Sequence, residues 1–152
     1  MSFSAADGRT QLLRVVAGAA DRLAVALGLL SGAYELLDER SAEQLEEQIF
    51  RPVQVAYGRL RRTHSEFAAR SGLPGRDFAP APEGAPARGL QGLLDSAVSE
   101  VLAADGELGT LQDSMLPVEV GDPELRGGLQ DVRSRLSGVS PAARGLMRTF
   151  GR

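Results

Sequence analysis

The chain of 152 residues has no cysteine, no lysine, no tryptophan and a single histidine, His64. Each shortage removes a class of chemistry. Without cysteine there is no disulfide, thiolate nucleophile, cysteine-ligated zinc or iron–sulfur cluster. All 17 basic residues are arginine, so Schiff-base catalysis and the lysine of a phosphate-binding loop are excluded as well. One histidine cannot supply the paired histidines of a zinc protease or of a carboxylate-bridged di-iron bundle. No apolar run reaches the roughly 20 residues of a membrane span, since the longest extends from Leu23 to Tyr34. The earlier stretch from Leu12 to Ala20 is broken by Arg14 and stopped by Asp21 and Arg22, a poor match to a secretory signal. The sequence therefore reads as cytoplasmic, with no membrane, metal or cofactor implied. Missing lysine beside abundant Ala, Gly, Leu and Arg is read as coding bias rather than selection for arginine chemistry.

What is present is 43% hydrophobic with a net charge of −3, which argues against nucleic acid as a general partner. The apolar period is helical nearly throughout. Leu12, Val16, Ala19, Leu23, Ala26, Leu30, Ala33 and Leu37 recur at steps of three and four, predicting one amphipathic helix over 8–38. A second is predicted from Ser41, where Ser41 and Gln44 have capping-box spacing. Its stripe is Leu45, Ile49, Val53, Ala56, Leu60, Thr63 and Phe67. Pro52 lies inside that pattern and predicts a kink or register shift near Gln48. From Ser71 to Arg88 four prolines and three glycines deny helix or ladder. This connecting loop, 72–88, is either a mobile linker or is pinned by its one aromatic, Phe78. Heptad-spaced Leu94, Val101, Leu108 and Met115, interleaved with Leu90, Ala97, Ala104 and Leu111, predict a third long helix over 89–116. Asp122-Pro123 and Ser140-Pro141 each read as an N-cap followed by proline in the first turn of a shorter helix. The predicted architecture is all-α. It is a single domain over 1–152, an antiparallel helical bundle of two hairpins, about four main helices, with a short C-terminal helix.

The first helix carries a surplus. Gly18, Val25 and Gly32, with Leu29 and Leu36, form a second apolar seam away from its main stripe. Two seams require two packing partners. The seam is expected to be an interface, with a second copy or another helical protein, or else the mark of a helix central to its own bundle. Val98 and Leu102, off the main stripe of the third helix, favour self-association.

Arg59-Leu-Arg-Arg-Thr-His64 resembles the arginine-x4-histidine motif of HEPN-type ribonucleases, small helical bundles that act as dimers. The resemblance implies metal-independent RNA cleavage across a dimer cleft, with Arg59 stabilising phosphate charge and His64 as acid or base. Two departures stand out: Leu60 replaces a usual polar residue, and the motif lies inside the second helix. Residues five apart on a helix point about 140° away from each other, so Arg59 and His64 do not converge within one chain. On spacing from Phe50 and Tyr57, His64 reads as an edge-of-core side chain.

The arginines of the second helix also form a face. Glu47/Arg51, Arg62/Glu66 and Glu66/Arg70 have the spacing of local ion pairs, whereas Arg59 and Arg61 lack local partners. Arg59, Arg61 and Arg62 are thus the candidates for anion or nucleic-acid binding without chemistry. Acids gather at the first turn, from Glu35 and Asp38 to Glu46 and Glu47, and are expected to compensate the helix dipole more than to hold a cation. The function expected from the whole is non-catalytic: a helical bundle working through helix-mediated interaction as a homodimer. The ribonuclease and the anion-binding module are the alternatives.

Overall fold

The computed structural model of the chain describes residues 5–150, and over these it is an all-α helical bundle. Helix α1 spans Ala5–Tyr34, α2 Glu39–Leu45, α3 Arg51–Arg70, α4 Gly89–Asp113, α5 Leu116–Val120, α6 Pro123–Leu136 and α7 Val139–Phe150. None of these helices is long and apolar enough to cross a membrane.

Local chemistry explains most of the boundaries, and corrects some. Helix α2 begins at Glu39, not after Ser41, because Asp38 is the cap: the Ser41 backbone N–H donates to Asp38 Oδ1 at 2.8 Å. With α1 ending at Tyr34, Asp38 reaches the open N–H groups first, and the Ser41–Gln44 capping box does not form. That hydrogen bond holds the Asp38 carboxyl below the usual range. Between α2 and α3 lies one π-helical turn, Glu46–Phe50, closed by the Arg51 N–H on Glu46 O. Proline at 52 has no N–H to give, and widening the preceding turn is the register shift its position predicts. Helix α4 stops at Asp113, because Pro117 cannot continue it; Met115 then takes φ 68 and is exposed instead of filling a heptad core position. Asp122 caps α6 as expected, accepting from the Leu125 N–H at 2.9 Å. Helix α7 starts at Val139, so Ser140 lies within its first turn and does not cap it.

The stripes lie where the periods put them. Leu12, Val16, Leu23, Leu30, Leu45, Ile49, Val53, Leu60, Phe67, Leu94 and Leu108 are all essentially inaccessible and belong to one hydrophobic cluster shared by the long helices. Pairing in space is less local than two hairpins suggest. Helix α1 makes its broadest contact with α4, and α3 with α6. Both pairs are antiparallel: Gly18 lies against Glu107 while Arg22 reaches Glu100, and Arg59 meets Asp131 while Arg70 meets Asp122.

The proline-rich segment is pinned. After Leu73, whose N–H closes the end of α3 on Ala68 O at 2.9 Å, it runs as a strap along α1. Arg76 pairs with Asp21 at 2.9 Å, the Phe78 ring meets the His64 ring edge-on at 5.3 Å, and the Gly84 N–H donates to Gly28 O at 2.8 Å. Gly28 and Gly32 form the bed. A Cβ on Gly28 would overlap Pro82 O, and one on Gly32 would lie 2.9 Å from the Gly84 carbonyl carbon. The strap's backbone can approach α1 so closely only where side chains are missing.

Candidate functional site

Tertiary packing divides the second seam of α1. Leu29 is 7% exposed, and Gly32 is buried beneath the strap. Gly18 lies beside Glu107 of α4, half-buried. Val25, at 40% exposure, and Leu36 remain open. Helix α1 is therefore central in its own bundle, with α3 on its main stripe and α4 and the strap over much of the second seam. The sequence period shows that two sides of this helix are apolar but is silent on what covers them.

The arginine face is also rearranged. None of the predicted local pairs Glu47/Arg51, Arg62/Glu66 and Glu66/Arg70 forms a salt bridge among the described residues; Arg59 and Arg70 reach across to α6 and its cap instead. Arg70 makes a two-pronged contact with Asp122, at 2.8 and 2.9 Å, and meets Glu124 at 3.0 Å. Hydrogen bonding to Asp122 raises the Arg70 pKa, and the same contact lowers that of the Asp122 carboxyl. Arg59 donates to Thr63 Oγ1 on its own helix at 3.3 Å and also finds Asp131 at 3.2 Å, and Arg61 lies over the Tyr57 ring at 4.5 Å. Of the three anion-binding candidates only Arg62 is left without such a contact among the described residues. Arg59 faces α6 while His64 faces α1 and the strap, so the two motif residues diverge as helical geometry requires. Among the described residues no three acidic or histidine side chains converge on a common point.

Titratable groups do converge at a cleft of about 530 Å³ between the first half of α1, the end of α3 and the start of the strap. Its floor is apolar, with Leu13, Ala17, Leu73 and Pro74, and its rim carries Arg14, Arg76 and Asp21. His64 forms one wall at 4% exposure, and its Nδ1 is buried with no hydrogen-bond partner. Desolvation, and secondly the charge of Arg76, push the His64 pKa below its ordinary 6.5. Sequence reasoning found His64 and placed it correctly at the core edge, but missed Arg14, Asp21 and Arg76. The available signal was Arg76-Asp77-Phe78, a charged and aromatic triplet within a stretch otherwise dominated by proline, glycine and alanine.

A pH dependence follows. A group whose folded pKa is depressed favours the unfolded state on acidification, because the unfolded chain takes up the proton first. Stability should fall as pH drops below about 6.5, with a slope that stays below the one-proton limit of about 1.4 kcal/mol per pH unit, and level off below the folded pKa. Arg14 and Asp21 from α1 and Arg76 from the strap are the charges sharing the cleft with His64. Urea titrations between pH 7 and 5 should show the slope in the wild type and lose it in His64→Gln; an unchanged slope in the variant would place the titrating group elsewhere.

No family model, curated protein or solved structure matches the chain. Its class is accordingly the one its own fold defines, an all-α helical bundle.

Proposed function

We propose that this is a non-catalytic helical-bundle protein acting through helix-mediated protein–protein interaction, with a second copy of itself as the partner. The observation that carries the reading is the face formed by α4 and the adjoining edge of α1. Val25 of α1 is 40% and Leu102 of α4 53% exposed, and an open groove between the two helices is lined by Val15, Ala103, Gly106 and Leu111 together with the polar Gln11, Glu107 and Thr110. This helix pair thus carries both exposed apolar side chains and a hollow, the elements of a two-fold interface in which each copy fills the other. Size supports the same occupant. The 25 residues of α4 span about 37 Å, and two adjacent helices present a strip about 20 Å wide. That is about 700 Å², close to the roughly 800 Å² per partner of a standard interface. Arg22 on this face is paired with both Glu100 and Glu107, a cluster with one net negative charge that the interface must keep solvated at its rim. The cytoplasmic setting read from the sequence belongs to the same proposal.

Of the seam residues, Val25 belongs to this interface, Leu36 extends it just past the end of α1, Gly18 lines the cleft beside the strap, and Leu29 and Gly32 serve the fold. Two substitutions separate these roles. Val25→Glu should convert a dimer to a monomer with unchanged circular dichroism and thermal midpoint, read by light scattering at micromolar concentration. Leu29→Glu should instead unfold the chain, because it places an unpaired charge in the core. A wild type that is monomeric at the same concentrations would sink the proposal.

The alternatives draw less support. For the ribonuclease reading, His64 and Arg59 lie on different sides of α3 and Arg59 is engaged by Asp131, whereas the two groups must converge on one substrate. For the anion-binding face, Arg59 and Arg61 are already occupied.

A further inference from the structure

We propose that the cleft between α1, the end of α3 and the strap binds a small monocarboxylate with an apolar body, its carboxylate between the guanidinium groups of Arg14 and Arg76 and its apolar part on Leu13, Ala17 and Pro74. Three observations on different elements lead there. The cavity, about 530 Å³, has the size and mainly apolar lining of small-molecule sites, which take a few convergent polar groups for orientation. Its charges do not balance. Arg76 is matched by Asp21 at 2.9 Å, but the guanidinium of Arg14 donates only to the neutral Gln11 side chain, also at 2.9 Å. One positive charge is therefore left at the rim, which suits a single negative charge and disfavours a phosphate dianion, whose excess charge would oppose Asp21. Guanidinium groups also match the planar, two-oxygen geometry of a carboxylate.

The third observation is His64. A buried imidazole nitrogen without a partner is an unmet hydrogen bond in an otherwise well-satisfied interior. A half-turn about χ2 exchanges the two edges of the ring, so the wall of the cleft can offer either nitrogen to a bound polar atom. The ring is neutral at neutral pH and adds a hydrogen bond there, leaving the recognition charge to Arg14 and Arg76. The strap supplies Leu73, Pro74 and Arg76, so a bound ligand would join the strap to α1 and α3. The cleft and the α1–α4 groove have different lining residues throughout, and the inference stands whether or not the protein dimerises.

The test uses hexanoate as probe, titrated into the full chain carrying 15N, with hexanamide as the neutral isostere and inorganic phosphate as the alternative anion. Hexanoate should give saturable shifts at Ala17, Gly18 and the His64 ring nitrogens, and hexanamide and phosphate should bind at least about tenfold more weakly, as loss of a charge-assisted contact dictates. Arg14→Gln, at an exposed position where the fold is not at stake, should weaken hexanoate about tenfold, Arg14→Lys should recover part of this, and Arg135→Gln on α6 should match the wild type. Shifts that do not saturate, equal affinity for hexanamide or phosphate, or undiminished binding by Arg14→Gln would each overturn the assignment.

Discussion

Truncating Phe67 to alanine is expected to remove about 3–5 kcal/mol of stability. Phe67 heads the fully buried side chains by volume. It sits on the core stripe of α3, which packs against α1 and α6 together, so the void would be walled by three helices. Such walls relax only partly, and the lost transfer energy is joined by the energy of the cavity. Against the usual total of about 5–15 kcal/mol, the loss would be a large share of the folding free energy. Urea denaturation followed by circular dichroism should show a lower midpoint with an unchanged slope. Val55→Ala on the exposed side of the same helix should stay within about 0.5 kcal/mol. A loss below about 1 kcal/mol for Phe67→Ala would mean that the helices close over the void.

The second large effect concerns one methyl group. Helix propensity favours alanine over glycine by about 1 kcal/mol in a helix interior, and at Gly58 of α3, where an added Cβ meets nothing within 4 Å, Gly58→Ala should stabilise by about that amount. At Gly28 the sign should reverse. Its Cβ would overlap Pro82 O and lie 3.3 Å from Ala81 O, both backbone atoms of the strap. The strap must lift, and the Gly84 N–H to Gly28 O hydrogen bond is lost with it. Overpacking of this kind costs about 1–3 kcal/mol, so Gly28→Ala should destabilise despite its better propensity. Trypsin offers a second readout. Cleavage after Arg76 and Arg88, at the two ends of the strap, should accelerate in Gly28→Ala and not in Gly58→Ala, because proteolysis follows local opening. Equal behaviour of the two variants would show that the strap does not rest on α1 in solution.

These cases separate what a one-dimensional pattern can hold from what it cannot. The main stripes were legible because a side chain's direction on a helix follows from its index alone, and Leu12 through Ala33 are buried as the period requires. Pro52 was legible for the same local reason: a missing N–H disturbs the turn before it wherever the helix lies. Caps were half legible. Asp122 was read correctly, but Ser41 was preferred to Asp38, since both have the chemistry and only the true end of α1 selects between them. Ion pairs were the least legible. The spacing of Glu66 and Arg70 permits a bond that α6 preempts by presenting Asp122 and Glu124. The candidate cleft was legible only at His64, because Arg76 and Asp21 are 55 residues apart and no local rule links them.

The sequence by itself determined that this chain is helical, where its longer helices lie to within a few residues though not the short α5, which side of each is apolar, and which chemistries its missing cysteine and lysine exclude. All of these depend on backbone geometry and residue type within a turn or two. Only the tertiary structure decided that α1 pairs most extensively with α4 and α3 with α6, that the proline-rich segment is a strap bedded on Gly28 and Gly32, and that the second seam is covered at Leu29 and Gly32 but open at Val25 and Leu36. These depend on which surfaces meet, and a periodicity records that a face must be covered without recording by what.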